Sequence, residues 1–426
     1  MDNLDYNFTK SNFVMPDGVI SPVYDSDQVT FGKVKIQLSP LGFFGQKRNS
    51  EGGFFSEKNA PLGNNVNLQA NCKILPMIER YRLLGLSKQI LADVVRDGHN
   101  ILGCQRVTMM GFDSVGITQS NAIAGSVPGY CFSGVKTCKS SWVCPVCSHS
   151  LSGARAAEVR NAIRAQKMRG GDVYMLTLTF RHSRYDRLGV MLGGFKKALV
   201  NMWAQCKVKS FFNVNFIGRI TATEITYSDI AGWHPHQHIL LLGVRGLDCG
   251  RLQALFAPYW LRALDRSGLS GIGDIACNVQ SAGAVANYLT KMAGEIALGN
   301  TGIKQGRAGH YAPFELLGAC RSRPDYHGLW REYYGVTKGR QCLAWSRGLK
   351  ALSCVAERSD DDILDCSDGD AYTLVLSVWS EDWSKLSNDD LGYIRRAPSV
   401  DAITRLLDDR GAGYTMAVEQ DRRQVS

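Results

Sequence analysis

Three of the eight histidines in this chain fall within five residues, in the run His234-Pro235-His236-Gln237-His238. From His236 to Val244 the chain is largely apolar and stops at Arg245-Gly246, a pattern that predicts a strand. Side chains alternate faces along a strand, so His236 and His238 share one. Upstream, Phe216 to Ser228 alternates as well, with Ala222, Glu224 and Thr226 on one face, and Ser228 to Gly232 reads as the turn of a hairpin. Pairing the two strands would bring Glu224 beside the two imidazoles. Two imidazoles and a carboxylate make a three-point site for a divalent ion, with positions left for substrate and water.

A second group of chemically capable residues follows. Tyr288 and Lys291 lie three apart in a stretch, Ala282 to Ile296, that reads as a helix, so they share one of its faces. A phenol with an ordinary pKa of about 10 is a poor nucleophile at neutral pH. A cation and a bound metal stabilise the phenolate and polarise a phosphate oxygen. The competing reading of that helix is a tyrosine packed on the sheet with Lys291 in water.

A third group is rich in sulfur. Cys144 and Cys147 form a Cys-x-x-Cys pair, with Cys131 and Cys138 upstream and His149 just beyond. Structural zinc takes four such ligands in a tetrahedron, and the expected set is Cys131, Cys138, Cys144 and Cys147. His149 is an alternative ligand, and Cys104 can displace Cys131. A redox pair or plain buried thiols are the other readings of the same cysteines, but no thioredoxin-like strand precedes the pair.

The elements that must position these groups come next. The chain has 426 residues, a formal charge of +10 and 45% apolar residues, enough for two or three domains with buried cores. The basic balance, with a pI near 9.0, favours a polyanionic partner such as nucleic acid. No apolar run is as long as a membrane span and no signal segment opens the chain, so a cytoplasmic protein with reduced thiols is expected.

Residues 1–70 read as an accessory or partly disordered arm and 71–128 as a helical accessory segment. Residues 129–170 hold the zinc knuckle and a basic helix, Ser152 to Met168, with Arg160, Arg164 and Lys167 in a row. From Asp172 the order is strand, helix, strand, strand, helix, strand, helix, with Pro258 expected to kink or divide the second helix. That order predicts an α+β, ferredoxin-like antiparallel sheet over 171–300, with helices on one face and the other face open. Residues 301–350 close this domain, and 351–426 read as an acidic tail with one short helix.

Taken in order, Met175 to Thr179 ("MLTLT"), "HPHQH" and Asn287 to Lys291 ("NYLTK") form a pattern. With them the chain resembles the rolling-circle replication initiators, the Rep proteins of small plasmids and phages, in the HUH endonuclease superfamily. The resemblance runs from about Cys131 to Lys350 and includes "CKSSWVCPVCS" and "EYYGVTKGRQCLAWSRGLK". It implies a site-specific DNA strand transferase of a bacterial or archaeal host cell. Mg²⁺ or Mn²⁺ would sit on His236, His238 and Glu224, and Zn²⁺ would be structural. Tyr288 would nick origin single-stranded DNA, with Lys291 as an electrostatic helper, leaving a 5′-phosphotyrosyl link and a 3′-OH primer.

The chain departs from the superfamily's pattern at two places. The residue between the paired histidines is Gln237 where a hydrophobic one is usual. Ala284 stands where many relatives carry a Glu or second Tyr that ends the cycle, so a second subunit in a dimer or another carboxylate would have to serve. No phosphate-loop motif occurs, so a host helicase and DNA polymerase are the implied partners. The alternatives are a transposase- or relaxase-like transferase, or a zinc-containing DNA-binding regulator without catalysis.

Overall fold

A computed structural model of the chain describes residues 76–121, 129–281, 310–367, 369 and 371–417, with short strands in 13–37, 72–73 and 303–304. Tyr288, Lys291 and Ala284 lie outside the described residues. The chain divides into a unit of Met1–Val66 with Ser210–Asn215, and a unit of Asn67–Lys209 with Phe216–Ser426. In the first, Phe13–Met15 pairs with Gly18–Ile20, and Val23–Asp25, Gln28–Phe31 and Val34–Gln37 form a three-stranded sheet.

The larger unit opens with α1 (Met77–Leu91), β1 (Ser114–Ser120) and β2 (Tyr130–Ser133). Then come α2 (Pro145–Met168), β3 (Asp172–Leu178), α3 (Leu188–Trp203), β4 (Phe216–Ser228) and β5 (Gly232–Gly243). After them are α4 (Cys249–Asp265), β6 (Cys277–Ser281), β7 (His310–Tyr311), α5 (His327–Thr337) and β8 (Leu343–Trp345). The chain finishes through β9 (Tyr372–Trp379), α6 (Asn388–Ile394) and β10 (Tyr414–Met416).

The central sheet runs β6-β3-β5-β4-β7 in space, with β8 also on β4, and every pairing is antiparallel. The long hairpin β4–β5 is its spine. Its corner is Gly232, at φ 75°, where a Cβ would come within 2.7 Å of the Arg184 backbone, so a side chain is excluded there. The Ser228 hydroxyl accepts from the Ala231 amide at 3.0 Å and closes the turn.

Both faces of this sheet are apolar over much of their length, and each has its cover. Ile239, Leu240, Leu241 and Leu242 are all fully buried, so successive side chains on β5 find packing on opposite sides. One face takes α3 and α4, which meet through Phe195 on Trp260 and Trp203 on Phe256. The other was expected to be open. Instead, α2 lays Val159, Ala162 and Ile163 on Val173, Met175, Ile220, Ala222, Leu240 and Leu242. A half-face made of Leu, Ile and Met loses roughly 25 cal/mol for each Å² left in water, so it has to be covered. What stays uncovered by α2 is the end of that face where the leucines give way to His236, His238 and Glu224.

Two further expectations are corrected. Pro258 sits inside α4 without dividing it, because Phe256 and Trp260 on either side are fully buried and hold the helix in place. The chain beyond Lys350 is not a solvated tail. β9 is an inner strand of a second antiparallel sheet, ordered β10-β9-β1-β2, so that residues on both sides of the central sheet in sequence form one layer. Among the described residues no helix is long and apolar enough to cross a membrane.

Candidate metal centres

The hairpin register puts Glu224 directly opposite His236, and Ala222 opposite His238. All three ligand side chains therefore stand on the face that α2 partly covers. The Glu224 Oε2 lies 3.2 Å from His236 Nε2 and 3.5 Å from His238 Nε2. The two rings stand edge to face, with centroids 4.9 Å apart.

The protons on this group argue for a cation. His238 Nδ1 is 3.1 Å from the Thr177 hydroxyl on β3, and His236 Nδ1 is 3.5 Å from the His234 carbonyl. A carbonyl only accepts, so the His236 proton sits on Nδ1, and the Thr177 oxygen can hold the His238 proton in the same way. With the Nδ1 atoms so engaged, both Nε2 atoms converge on the carboxylate of Glu224, which is 3% exposed. A positive ion between them would take all three as ligands. Ligand bonds of about 2.1 Å place neighbouring donors about 3.0–3.5 Å apart, which is the spacing seen. Each imidazole keeps 13% of its side-chain surface exposed, leaving a way in for an outside ligand.

Thr177, His182 and His234 extend the centre beyond the residues foreseen. Thr177 belongs to the "MLTLT" strand, and its alternation could have marked it as a polar residue on the histidine face. His182 gives no such signal, because it follows the strand's end. Its Nδ1 lies 3.0 Å from the Ala231 carbonyl and its Nε2 2.6 Å from His234 Nδ1. With Nδ1–H given to the carbonyl, His182 Nε2 can accept from His234 Nδ1. Burial, with His236 and His182 nearby, pushes His234 down to about 3. The rings of His182, His234 and His236 pack side by side, at centroid spacings of 4.7 and 5.0 Å.

The second group is made of sulfur. Cys104, Cys138, Cys144 and Cys147 have ligand atoms all within 4.8 Å of one another. The Sγ separations are 3.7 Å for Cys104–Cys144, 3.6 Å for Cys104–Cys147 and 3.9 Å for Cys138–Cys147. These are far too long for a disulfide of about 2.05 Å. A tetrahedron with metal–sulfur bonds of about 2.3 Å has edges of about 3.8 Å, so four thiolates around zinc fit.

Local backbone serves the same end. Cys144 caps the N-terminus of α2, accepting from the Cys147 amide at 3.4 Å, and the Cys138 amide points at the Cys104 sulfur at 3.4 Å. Gln105 and Lys139, the residues just after Cys104 and Cys138, both take positive φ (61° and 55°) without being glycine. Such turns cost of order 1–2 kcal/mol each, a strain tolerated where the surroundings dictate the shape.

Cys131 is not part of this group. Strand pairing with Thr118 holds it on the second sheet, and its side chain lies near Cys366, Tyr372 and Arg395. Cys104 takes the fourth place, and His149 stays outside the group, lining a cavity with Cys131 and Cys147.

Comparison with known proteins points to replication. Residues 131–246 match a family model described as replication protein. "Protein rep" of Streptomyces lividans is 26% identical over an alignment of 370 residues covering 68% of this chain and 80% of that protein. "Neomycin resistance protein" of Streptomyces cyanogenus is 29% identical over 134 residues, 26% of this chain and 31% of that one. No solved structure matches significantly. The segment similar to replication proteins is thus the one that carries Glu224, His236, His238 and three of the four clustered cysteines, and the matches support a replication protein.

Proposed function

We propose that this protein starts rolling-circle DNA replication by nicking a single strand at its origin and rejoining strands afterwards. The observation that carries the reading is the convergence of Glu224, His236 and His238 on one point, at the end of the central sheet that α2 does not reach. The similarity of residues 131–246 to replication proteins and the chain's net charge of +10 support a DNA substrate. The strand order β6-β3-β5-β4, built from two interleaved strand–helix–strand units, supports a ferredoxin-like arrangement of the HUH kind.

In this reading, Mg²⁺ or Mn²⁺ held by the three residues supplies a Lewis acid to a non-bridging oxygen of the scissile phosphate. The Tyr288 oxygen attacks phosphorus, the bond to the 3′ oxygen breaks, and a 5′-phosphotyrosyl link and a 3′-OH remain. One phosphodiester replaces another, so the step is reversible and needs no ATP. Lys291 lowers the cost of the phenolate. Thr177 and the His234 carbonyl keep both Nδ1 protons in place and so keep both Nε2 lone pairs turned inward. The cysteine group holds zinc as a structural part. Origin DNA, a host helicase and a polymerase are the partners, and a second copy could supply the Tyr288 that ends the cycle.

The test is covalent capture. The protein is incubated with single-stranded DNA from its own replicon and Mn²⁺, and the adduct is mapped. A link at Tyr288 that vanishes in Tyr288→Phe, while DNA binding survives, supports the nickase. Binding with no adduct at any tyrosine would identify a non-catalytic regulator instead. An adduct at another tyrosine would keep the chemistry and move the nucleophile.

A further inference from the structure

A basic cavity borders the sheet edge next to the histidines. β8 pairs with β4 so that Trp345 stands opposite Ile220 and Leu343 opposite Ala222. The Thr223 amide donates to the Cys342 carbonyl at 2.9 Å and carries the pairing one residue towards Glu224. Directly opposed residues point the same way, so Leu343 and Trp345 share the face of Glu224, His236 and His238. Ala222 is in turn opposite His238, which puts Leu343 two strand spacings, about 10 Å, from that ligand. Leu343 and Trp345 line a cavity of about 860 Å³. The loop Cys138 to Val143 walls it on one side, and the turn Lys338 to Gln341 after α5 on another. The Trp142 indole donates to the Arg340 carbonyl at 2.7 Å and ties these two walls together.

The charge of the cavity is one-sided. Three of its cations are neutralised: Lys139 by Asp361, Arg155 by Glu158 and Asp360, and Lys350 by Glu158 and Glu357. Four more, Lys338, Arg340, Arg347 and Arg358, are exposed and have no ion-pair partner among the described residues. Arg340 gives its Nε to the Val336 carbonyl at 2.6 Å, which pins its stem on α5. The Lys338 Nζ lies 5.9 Å from the centre of the Tyr334 ring, and the Lys350 Nζ 5.6 Å from that of Trp345. A space of this size has room for a few nucleotides of single strand and not for a duplex. Unpaired cations beside aromatic rings are the groups that a sugar–phosphate backbone with splayed bases takes as partners.

We propose that this cavity is where the single strand lies on its way to the scissile phosphate. Arg340 and Arg347 hold backbone phosphates, with Lys338 and Arg358 beside them, and Trp345 offers its ring to a base. The proposal takes its ligand from the nickase reading and adds the route, along the β8 edge of the sheet rather than the β6 edge. It also gives the cysteine group a second task. Cys138 begins the loop that walls the cavity, so an ion on the four sulfurs would shape the DNA path as well as hold α2.

The experiment uses the full-length protein and single-stranded DNA from its own replicon, without added Mg²⁺ or Mn²⁺, so that binding is read apart from cleavage. Lysine acetylation is mapped by peptide mass spectrometry with and without the DNA. Lys338 should be protected several-fold, whereas Lys196 and Lys197, exposed on α3, should not. The affinity of Arg340→Gln/Arg347→Gln should fall at least about tenfold, with a salt slope shallower by about 1.4 for two lost phosphate contacts. Lys196→Gln/Lys197→Gln removes the same charge and should leave both nearly unchanged. Equal losses in the two double variants overturn the proposal. So does protection of Lys196 and Lys197 without Lys338, a result the unaltered protein gives even if the variants fail to fold. With Mn²⁺ added, covalent capture reports on the nickase separately. Protection of Lys338 with no adduct keeps the cavity and removes the nickase, and an adduct with no protection does the reverse.

Discussion

The two ligand groups of this protein are assembled in opposite ways. Glu224, His236 and His238 lie within 15 residues of one another, on two strands whose pairing sets every distance. Cys104, Cys138, Cys144 and Cys147 span three separate stretches, and one of them follows the short helix Asn100–Gly103. Strand register positions the first group whether or not an ion is bound. In the second, Cys144 and Cys147 sit at the start of α2 while Cys104 and Cys138 precede turns with strained backbone at Gln105 and Lys139, and a bound ion is what would repay that strain. A hairpin-built site suits an ion that must exchange and meet substrate. A loop-built site suits an ion that stays.

The helix α2 joins the two. Its first turn carries Cys147, Cys144 caps it, and about three to four and a half turns on it packs Val159, Ala162 and Ile163 on the sheet that bears the histidines. A metal ion seated on the four sulfurs would therefore fix one end of the element that covers part of the histidine face.

The largest effect is expected from breaking the sulfur group. Zinc analysis of Cys144→Ser should fall from one ion per chain to none. Structural zinc is worth roughly 10–16 kcal/mol in small zinc peptides, against about 5–15 kcal/mol for a whole domain, so the variant should lose its cooperative melt. Cys104→Ser should behave alike and Cys131→Ser should keep its zinc. The reverse pair of results would return Cys131 to the ligand set.

Next in size, Glu224→Gln should slow metal-dependent cleavage of origin single strands by about 10²–10³-fold. Its metal-free melting temperature should not fall, because the change removes a buried carboxylate that faces two nitrogen lone pairs. A clear drop in metal-free stability would mean that Glu224 is structural, and the contrast between exchangeable and permanent sites would fail.

Ile163→Ala tests the link between the regions. Emptying this position, 2% exposed, should cost about 2–4 kcal/mol in denaturant melts while zinc content holds. An unchanged melt would show that α2 does not clamp the sheet. The smallest effect belongs to Thr177→Val, which removes the hydroxyl beside His238 Nδ1 and should weaken Mn²⁺ affinity about tenfold, read by calorimetry. No change there would leave the ring held by packing alone.

Much of this was legible in the residues themselves. The alternation in Phe216–Ser228 and the turn before Gly232 placed Glu224 beside two imidazoles, and register bears that out. The first helix expected after Asp172 is α3, Leu188–Trp203. The strand and helix order after Asp172 foretold an α+β antiparallel sheet. These are local matters, set by the 2.0 and 3.6 periods and by turn chemistry.

Other features came only with the tertiary structure. Cys131 was the expected fourth ligand, with Cys104 able to displace it, and in the fold Cys104 joins the group while strand pairing with Thr118 holds Cys131 on the second sheet. The sheet was expected to keep one face open, but the unbroken run Ile239 to Leu242 buries side chains on both faces and α2 covers the one expected to be open. The acidic composition after Lys350 concealed a strand that belongs beside β1, more than two hundred residues earlier in the chain. Periodicity tells a side chain which way to point, whereas its partner is chosen by which surfaces are left to bury once the whole chain has collapsed.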